Sequence, residues 1–346
     1  MSDKKFCLDL TREDLLLFCD SQGIAKYRAD QIFSWLSRGV VRTDDMKNVP
    51  KDIRGLLEEE FIFEGFDVIH KFVSEIDGTT KFVYRLWDNN VIETVVMPYK
   101  TGLSVCISSQ AGCKMGCRFC ASADAGFGRS LSAGELFGQI VVTSRNLGEK
   151  ISSVVVMGIG EPFDNFDNLM AFIDLATSPE GLNLGARHIT VSTCGLVPMI
   201  HEFADRKLYV NLAISLHAPT DELRSSIMPI NRRYNIEELI PACRRYTEIT
   251  GRRITFEYSL FAGINDDEEN AKALVKLLRG MLCHVNLIAA NEFPGSDFRR
   301  SPKANVEKFK DYLNSHGINA TLRREMGTDI MAACGQLRRS VEGRSC

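Results

Sequence analysis

Apolar residues recur at helical spacing near the start of the chain. Thr11 precedes Arg12, Glu13 and Asp14, then Leu15, Leu16, Leu17 and Phe18, which predicts a helix with Thr11 at its N-cap. Ile32, Phe33, Trp35 and Leu36 predict a second helix over 28–38, and Ile53, Leu56 and Leu57 after Pro50 predict a third. These form a helical module ending near residue 62, with Phe33, Trp35 and Leu36 expected in its core.

The pattern then changes to strands. Residues 68–75, 79–87 and 91–98 are rich in Val, Ile, Phe and Thr, and Asp77-Gly78 and Asp88-Asn89-Asn90 separate them as hairpin signals. From about residue 102 short apolar runs alternate with amphipathic stretches. Strands are expected at 103–108, 153–158, 188–192, 209–215, 253–260, 283–289 and 318–323. Helices are expected near 133–146, 166–176, 196–204, 236–249, 267–279 and 303–315, the first opened by Ser132 and Glu135 as a capping box. This alternation predicts an α/β fold with a parallel sheet, open or curled into a partial barrel. A complete eight-unit barrel usually takes ~250 residues; the stretch here favours an incomplete one with six repeats. The expected organisation is a helical module over 1–65, a β extension over 66–100 and a core over 101–346.

Composition narrows the class. The 346 residues are 45% hydrophobic and 25% charged, which suits a globular protein and excludes disorder as a description of the whole chain. The net charge of −3 rules out a bulk polycation. It conceals an imbalance: residues 1–98 carry 13 basic and 18 acidic side chains, residues 299–346 carry 10 and 5. Six Arg-Arg pairs lie beyond residue 230, at 232, 244, 252, 299, 323 and 338. Singly they read as solvated helix faces and strand ends; together they suggest a basic face suited to phosphate. No apolar run approaches the ~18–20 residues of a membrane span.

Eleven cysteines are the unusual component. Met1-Ser-Asp-Lys-Lys-Phe does not open a secretory signal, so a cytoplasmic chain with reduced thiols is expected. A thiolate metal site then fits better than a disulfide framework. Cys113-Lys-Met-Gly-Cys117-Arg-Phe-Cys120 sets three thiols in one loop. Soft thiolates suit zinc or an iron–sulfur cluster. Structural zinc needs four ligands, usually two paired cysteines plus a second pair, and there is no second paired motif. A four-iron cluster held by three cysteines leaves one iron open to a substrate or cofactor.

This loop, with Phe119 as its aromatic residue, resembles the signature of the radical S-adenosylmethionine (SAM) superfamily. The ordered set Met157-Gly-Ile-Gly-Glu-Pro162, Ser215-Leu-His217-Ala-Pro219, Met228-Pro-Ile-Asn231, Val285-Asn-Leu-Ile288, Asn291-Glu-Phe-Pro-Gly295 and Ala332-Ala-Cys334-Gly-Gln-Leu337 is similar to that of the dual-specificity ribosomal and transfer RNA adenine C2-methyltransferase family. The resemblance covers most of the chain. It implies a partial (β/α)6 radical SAM barrel with an N-terminal helical module resembling a small nucleic-acid-binding fold.

The resemblance also implies roles. Cys113, Cys117 and Cys120 ligate the cluster, and SAM takes the open iron. Gly160, Glu161, Ser192, Ser215, Leu216, His217 and Asn291 contact SAM, Glu161 by holding its ammonium. Cys334 takes a methyl group from a first SAM; a radical from a second activates that methyl group, which joins the base and tethers enzyme to RNA. Glu93 accepts the C2 proton, and Cys106 attacks the tether, leaving a Cys106–Cys334 disulfide. From pattern alone Glu93 reads as the polar side of an alternating strand, Glu161 as a helix N-terminal carboxylate, and the two lone cysteines as buried filler. Cys194 reads mainly as core packing, with an approach to SAM as the alternative.

The implied partners are 23S rRNA, reached naked or in an assembly intermediate, and tRNA, with the target base extruded from its stack. An external one-electron donor such as a flavodoxin or ferredoxin is implied, with two SAM per turnover, a monomer, and no membrane. Two alternatives stay open: the sister enzyme that methylates C8 of the same rRNA adenosine, and a zinc-stabilised RNA-binding protein without catalysis.

Overall fold

The computed structural model describes residues 4–124, 126–292, 296–333 and 335–337. Cys334, Cys346 and the Arg338-Arg339 pair lie outside the described residues.

Helices α1 (Arg12–Ser21), α2 (Tyr27–Ser37) and α3 (Lys51–Glu60) form the N-terminal module. The Thr11 hydroxyl accepts the Asp14 N–H at 3.1 Å while Asp14 accepts the Thr11 N–H at 2.9 Å, a reciprocal cap. On α2 the buried stripe is Ala29, Ile32 and Leu36, one helical turn apart. Phe33 and Trp35 fall beside that stripe, half-buried and packed against the core. Trp35 donates its indole N–H to Asn48 at 2.6 Å. The module shares one hydrophobic core with the rest of the chain.

Strands β1 (Phe66–Val73), β2 (Thr80–Leu86), β3 (Val91–Tyr99) and β4 (Gly102–Ile107) run antiparallel in sequence. β5 (Gln110–Gly112) and β6 (Phe127–Ser130) form a separate two-stranded ribbon flanking the short helix α4 (Ala121–Asp124). The remainder alternates: α5 (Ala133–Leu147), β7 (Ile151–Val156), α6 (Phe166–Thr177), β8 (Ile189–Thr193), α7 (Val197–Asp205), β9 (Asn211–Ser215), α8 (Asp221–Ile227), α9 (Ile236–Thr250), β10 (Ile254–Leu260), α10 (Glu268–Leu278), β11 (Cys283–Ala289), α11 (Lys303–Ser315) and β12 (Ala320–Leu322). Ser132 and Glu135 cap α5 reciprocally. The module also caps it, since Asp9 accepts the Gly134 N–H at 2.6 Å.

One ten-stranded sheet results, in the order β1-β2-β3-β4-β7-β8-β9-β10-β11-β12. Every neighbour pair from β4 onward is parallel. The expected β extension therefore continues the sheet directly, with Val95 of β3 opposite Cys106 of β4. β1 and β12 are its two edges, so among the described residues the sheet stays open. Parallel strands in chain order bring their C-terminal ends to one rim, where ligands bind in α/β sheets.

Candidate active site

The cysteine loop follows β5. Gly112 has φ +90°, and a Cβ there would overlap the Gly126 carbonyl, so the turn into Cys113 needs glycine. Phe119 anchors the loop: its ring lies 4.8 Å from His217, 5.3 Å from Phe261 and 6.2 Å from Phe298, centroid to centroid. The Arg118 N–H donates to the Ile227 carbonyl at 3.0 Å and the Cys120 N–H to the Cys117 carbonyl at 3.1 Å. All three cysteines line a cavity of about 160 Å³.

The donor set fits a polynuclear cluster. Burial pushes the Cys113 thiol up to about 12 and raises the Cys117 thiol too, and Cys120 and Glu161 add a repulsive field to both. Bare thiolates crowded there are unfavourable; iron balances their charge. Among the described residues no group of three His, Cys, Asp and Glu side chains forms a single-ion site.

The strand ends complete the cavity wall. Gly160, at φ +109°, passes so close to Ser109 and Gln110 that a Cβ would meet them at 2.6 Å. Glu161 is buried, and its carboxylate accepts the Phe163 N–H at 3.0 Å and the Cys194 N–H at 2.8 Å. It thus starts a short helical turn and faces the cavity together. Burial raises its pKa, and these hydrogen bonds oppose the rise. A bound ammonium would add the missing opposite charge.

Ser192, Ser215, His217 and Asn291 also line the cavity. His217 is buried at φ +56° and accepts the Ser259 N–H on Nδ1 at 2.9 Å. Burial, then the Arg224 charge, lowers its pKa to about 3, so the ring is neutral with its proton on Nε2. Leu216 is absent from the cavity wall: its side chain packs in the main core, because alternation turns it away from Ser215 and His217. Cys194, read mainly as core packing, lines the cavity and packs with Met228 and Phe261.

A second cavity lies alongside, lined by Cys106, Met97, Met326, Ala332, Ala333 and Leu337 among others. Met157, Ile288, Asn291 and Arg323 line both cavities. Val95, Cys106, Ala332 and Leu337 pack in one cluster, so the residues flanking position 334 cover the Cys106 face of the sheet. Glu93 is buried on β3, with the Lys81 ammonium 3.5 Å from its carboxylate. The pattern-alone alternative, the polar side of an alternating strand, does not hold, since Glu93 is buried.

Sequence reasoning missed two buried charges at the site. Glu257 lines the cavity, held by the Asn286 amide at 2.9 and 3.1 Å and lying 3.6 Å from Arg323. A glutamate inside the apolar run Ile254–Leu260 was the available signal. Arg224 is fully buried and donates to the carbonyls of Cys194, Ser215 and Leu216 and to Asn231. The expected basic face divides into local roles. Arg244 donates to the Leu277 and Arg279 carbonyls, Arg245 pairs with Asp205, Arg300 with Glu325, and Arg323 enters the cavity.

Comparison with known proteins agrees with this geometry. Residues 107–275 match the Radical SAM superfamily, and residues 7–62 match the Ribosomal RNA large subunit methyltransferase N-terminal domain. The chain is 49% identical to a Clostridium novyi protein and 51% identical to a Clostridium perfringens protein, both named probable dual-specificity RNA methyltransferase RlmN. These matches cover 97% of this chain and 98% and 97% of the relatives. The crystal structure of a radical SAM methyltransferase from Sphaerobacter thermophilus superposes with a TM-score of 0.91 at 45% identity, covering 96% of this chain and 99% of that one. No helix among the described residues is long and apolar enough to cross a membrane.

Proposed function

The chain belongs to the radical SAM methyltransferase family whose members are named dual-specificity RNA methyltransferase RlmN, and from that membership we propose that it methylates C2 of an adenosine in the peptidyl-transferase region of 23S rRNA and of the adenosine 3′ to the anticodon in tRNA. It is a radical SAM enzyme using a four-iron, four-sulfur cluster and SAM. This sets aside the non-catalytic zinc protein.

The observation that carries the reading is the junction of two cavities at Met157, Ile288, Asn291 and Arg323, one holding the cysteine loop and the other Cys106. Adenine C2 lies between two ring nitrogens and is electron-poor, so polar transfer of an electrophilic methyl group is disfavoured. When bound, the cluster and two molecules of SAM per turnover supply a methyl group and radical chemistry. Cys113, Cys117 and Cys120 hold the cluster; Gly160, Glu161, Ser192, Ser215, His217 and Asn291 surround SAM, with Leu216 acting through its backbone.

Cys334 receives the methyl group of one SAM on sulfur; the methyl carbon gives up one hydrogen atom to the radical chemistry that the second SAM would supply and bonds to C2, and the adduct gives one electron back to the cofactor. Glu93 takes the C2 proton. The Cys106 thiolate then attacks the Cys334 sulfur, the sulfur–carbon bond breaks, and the released carbon takes a proton to become the product methyl group. The two cysteines are left as a disulfide that an external reductant reopens. A flavodoxin or ferredoxin would supply single electrons, and a cytoplasmic location would supply the reductant.

Anaerobic reconstitution with SAM and rRNA or tRNA fragments, followed by nucleoside mass spectrometry, tests the reading. The expected product is 2-methyladenosine from a brown protein with about four irons per chain. 8-Methyladenosine as the main product would overturn it.

A further inference from the structure

Lys81 has no place in the chemistry above, yet it is buried, with 7% of its surface exposed. Buried ammonium groups are retained only when paired, because desolvation is costly. Its two polar partners among the described residues belong to different parts of the proposed machinery. The ammonium lies 3.5 Å from the Glu93 carboxylate and donates at 3.2 Å to the carbonyl of Met331, three residues before Cys334. The Phe72 ring, 5.3 Å away, closes one side.

Strand register explains the meeting. Lys81 of β2 is opposite Val95 of β3, which is opposite Cys106 of β4, so the three side chains share one row on one face. Glu93, two residues before Val95, is the diagonal neighbour on that face. The 327–331 segment is fastened to the hairpin turn that leads into β2. Asp329 accepts the Ser74 hydroxyl at 2.7 Å and the Glu75 N–H at 3.0 Å, and the Gly327 N–H donates to Asp77 at 2.9 Å. Lys81 is the contact that joins this fastening to Glu93.

We propose that Lys81 is a positioning residue that sets the Glu93 carboxylate and the segment carrying Cys334 in one register, so that the proton acceptor faces the base once the base is tethered. This rests on the C2-methylation reading. Lys81 forms and breaks no bond. Its ammonium keeps the carboxylate oriented, and its hydrogen bond holds the chain at residue 331. Losing it impairs resolution of the protein–RNA adduct after the steps that form it.

The test compares Lys81→Met, Lys81→Gln and Lys81→Arg with wild type and Cys106→Ala in the reconstituted full-length enzyme. Three quantities are followed: methylation of the Cys334 peptide by mass spectrometry, covalent protein–RNA adduct on denaturing gels, and 2-methyladenosine. Lys81→Met is expected to methylate Cys334 within about twofold of wild type while adduct accumulates and product falls at least tenfold. Lys81→Gln keeps a donor for the Met331 carbonyl but no charge, and is expected to behave like Met. Lys81→Arg keeps the charge and is expected to restore product. Should Lys81→Met fail to fold, the Gln and Arg variants decide. Normal product from Lys81→Gln, or equal loss of Cys334 methylation and product in it, overturns the assignment. Absence of 2-methyladenosine from wild type, or of adduct from Cys106→Ala, would instead overturn the underlying reading.

Discussion

The guanidinium of Arg224 donates to the carbonyl of Cys194 at 2.6 Å, inside the protein and away from water. Its other bonds reach Ser215, Leu216 and Asn231, so one side chain ties the end of β8 to the end of β9. These strand ends form part of the cavity wall. Replacing Arg224 with Met removes a donor from the buried Cys194 carbonyl and Asn231 amide and from the half-buried Ser215 carbonyl, while the Leu216 carbonyl keeps the Ala218 N–H at 2.8 Å. Each orphan costs ~1–3 kcal/mol, so the expected destabilisation is about 3 kcal/mol or more, with SAM affinity reduced. Chemical denaturation and equilibrium dialysis with SAM check both; unchanged stability would remove Arg224 from this role.

Gly160→Ala introduces a Cβ into space occupied by Ser109 and Gln110 and strains a backbone at φ +109°. The cost is about 1–3 kcal/mol, borne where SAM is held. Weaker SAM binding with cluster content unchanged is expected, read by dialysis alongside iron assay.

Glu257 gives a pH dependence. Burial raises its carboxyl above the ordinary 4.5, with Arg323 and Asn286 opposing. The folded form therefore binds its proton more tightly than the unfolded chain. Below pH 4.5 the effect is fully present as stability, and it is lost as pH rises from 4.5 through the raised folded value. Glu257→Gln is expected to flatten the fall in urea midpoint across that window. A fall of equal slope in the variant would assign it to other groups.

Asp329→Ala removes the acceptor shared by Ser74 and Glu75. The 324–337 segment should then be cleaved faster in limited proteolysis, and product formation should slow several-fold. SAM affinity, set on the opposite side of Met157, should be unchanged.

Cys106→Ala should still alkylate Cys334 and couple it to RNA, but cannot open the tether. Covalent adduct is expected to accumulate at least tenfold over wild type on denaturing gels. Full activity without adduct would contradict the role of Cys106.

Much of this protein is determined by local sequence. The Thr11 and Ser132 caps, the β–α alternation after residue 102 and the three-cysteine loop follow from spacing and side-chain chemistry within a few residues. Of the SAM contacts that the family resemblance implied, Gly160, Glu161, Ser192, Ser215, His217 and Asn291 line the cavity, since strand ends in an α/β sheet converge on one rim. Tertiary structure decided what depends on pairing between distant segments. The register of β2, β3 and β4 put Lys81, Glu93 and Cys106 on one face, and Met326, Ala332 and Leu337 turned that face from solvent to interior. Arg224, on a helix, met the carbonyls of Cys194, Ser215 and Leu216 only through packing of that helix on the strand ends. A side chain's partner across a sheet is fixed by register and covering, and neither is written in its own neighbourhood of the chain.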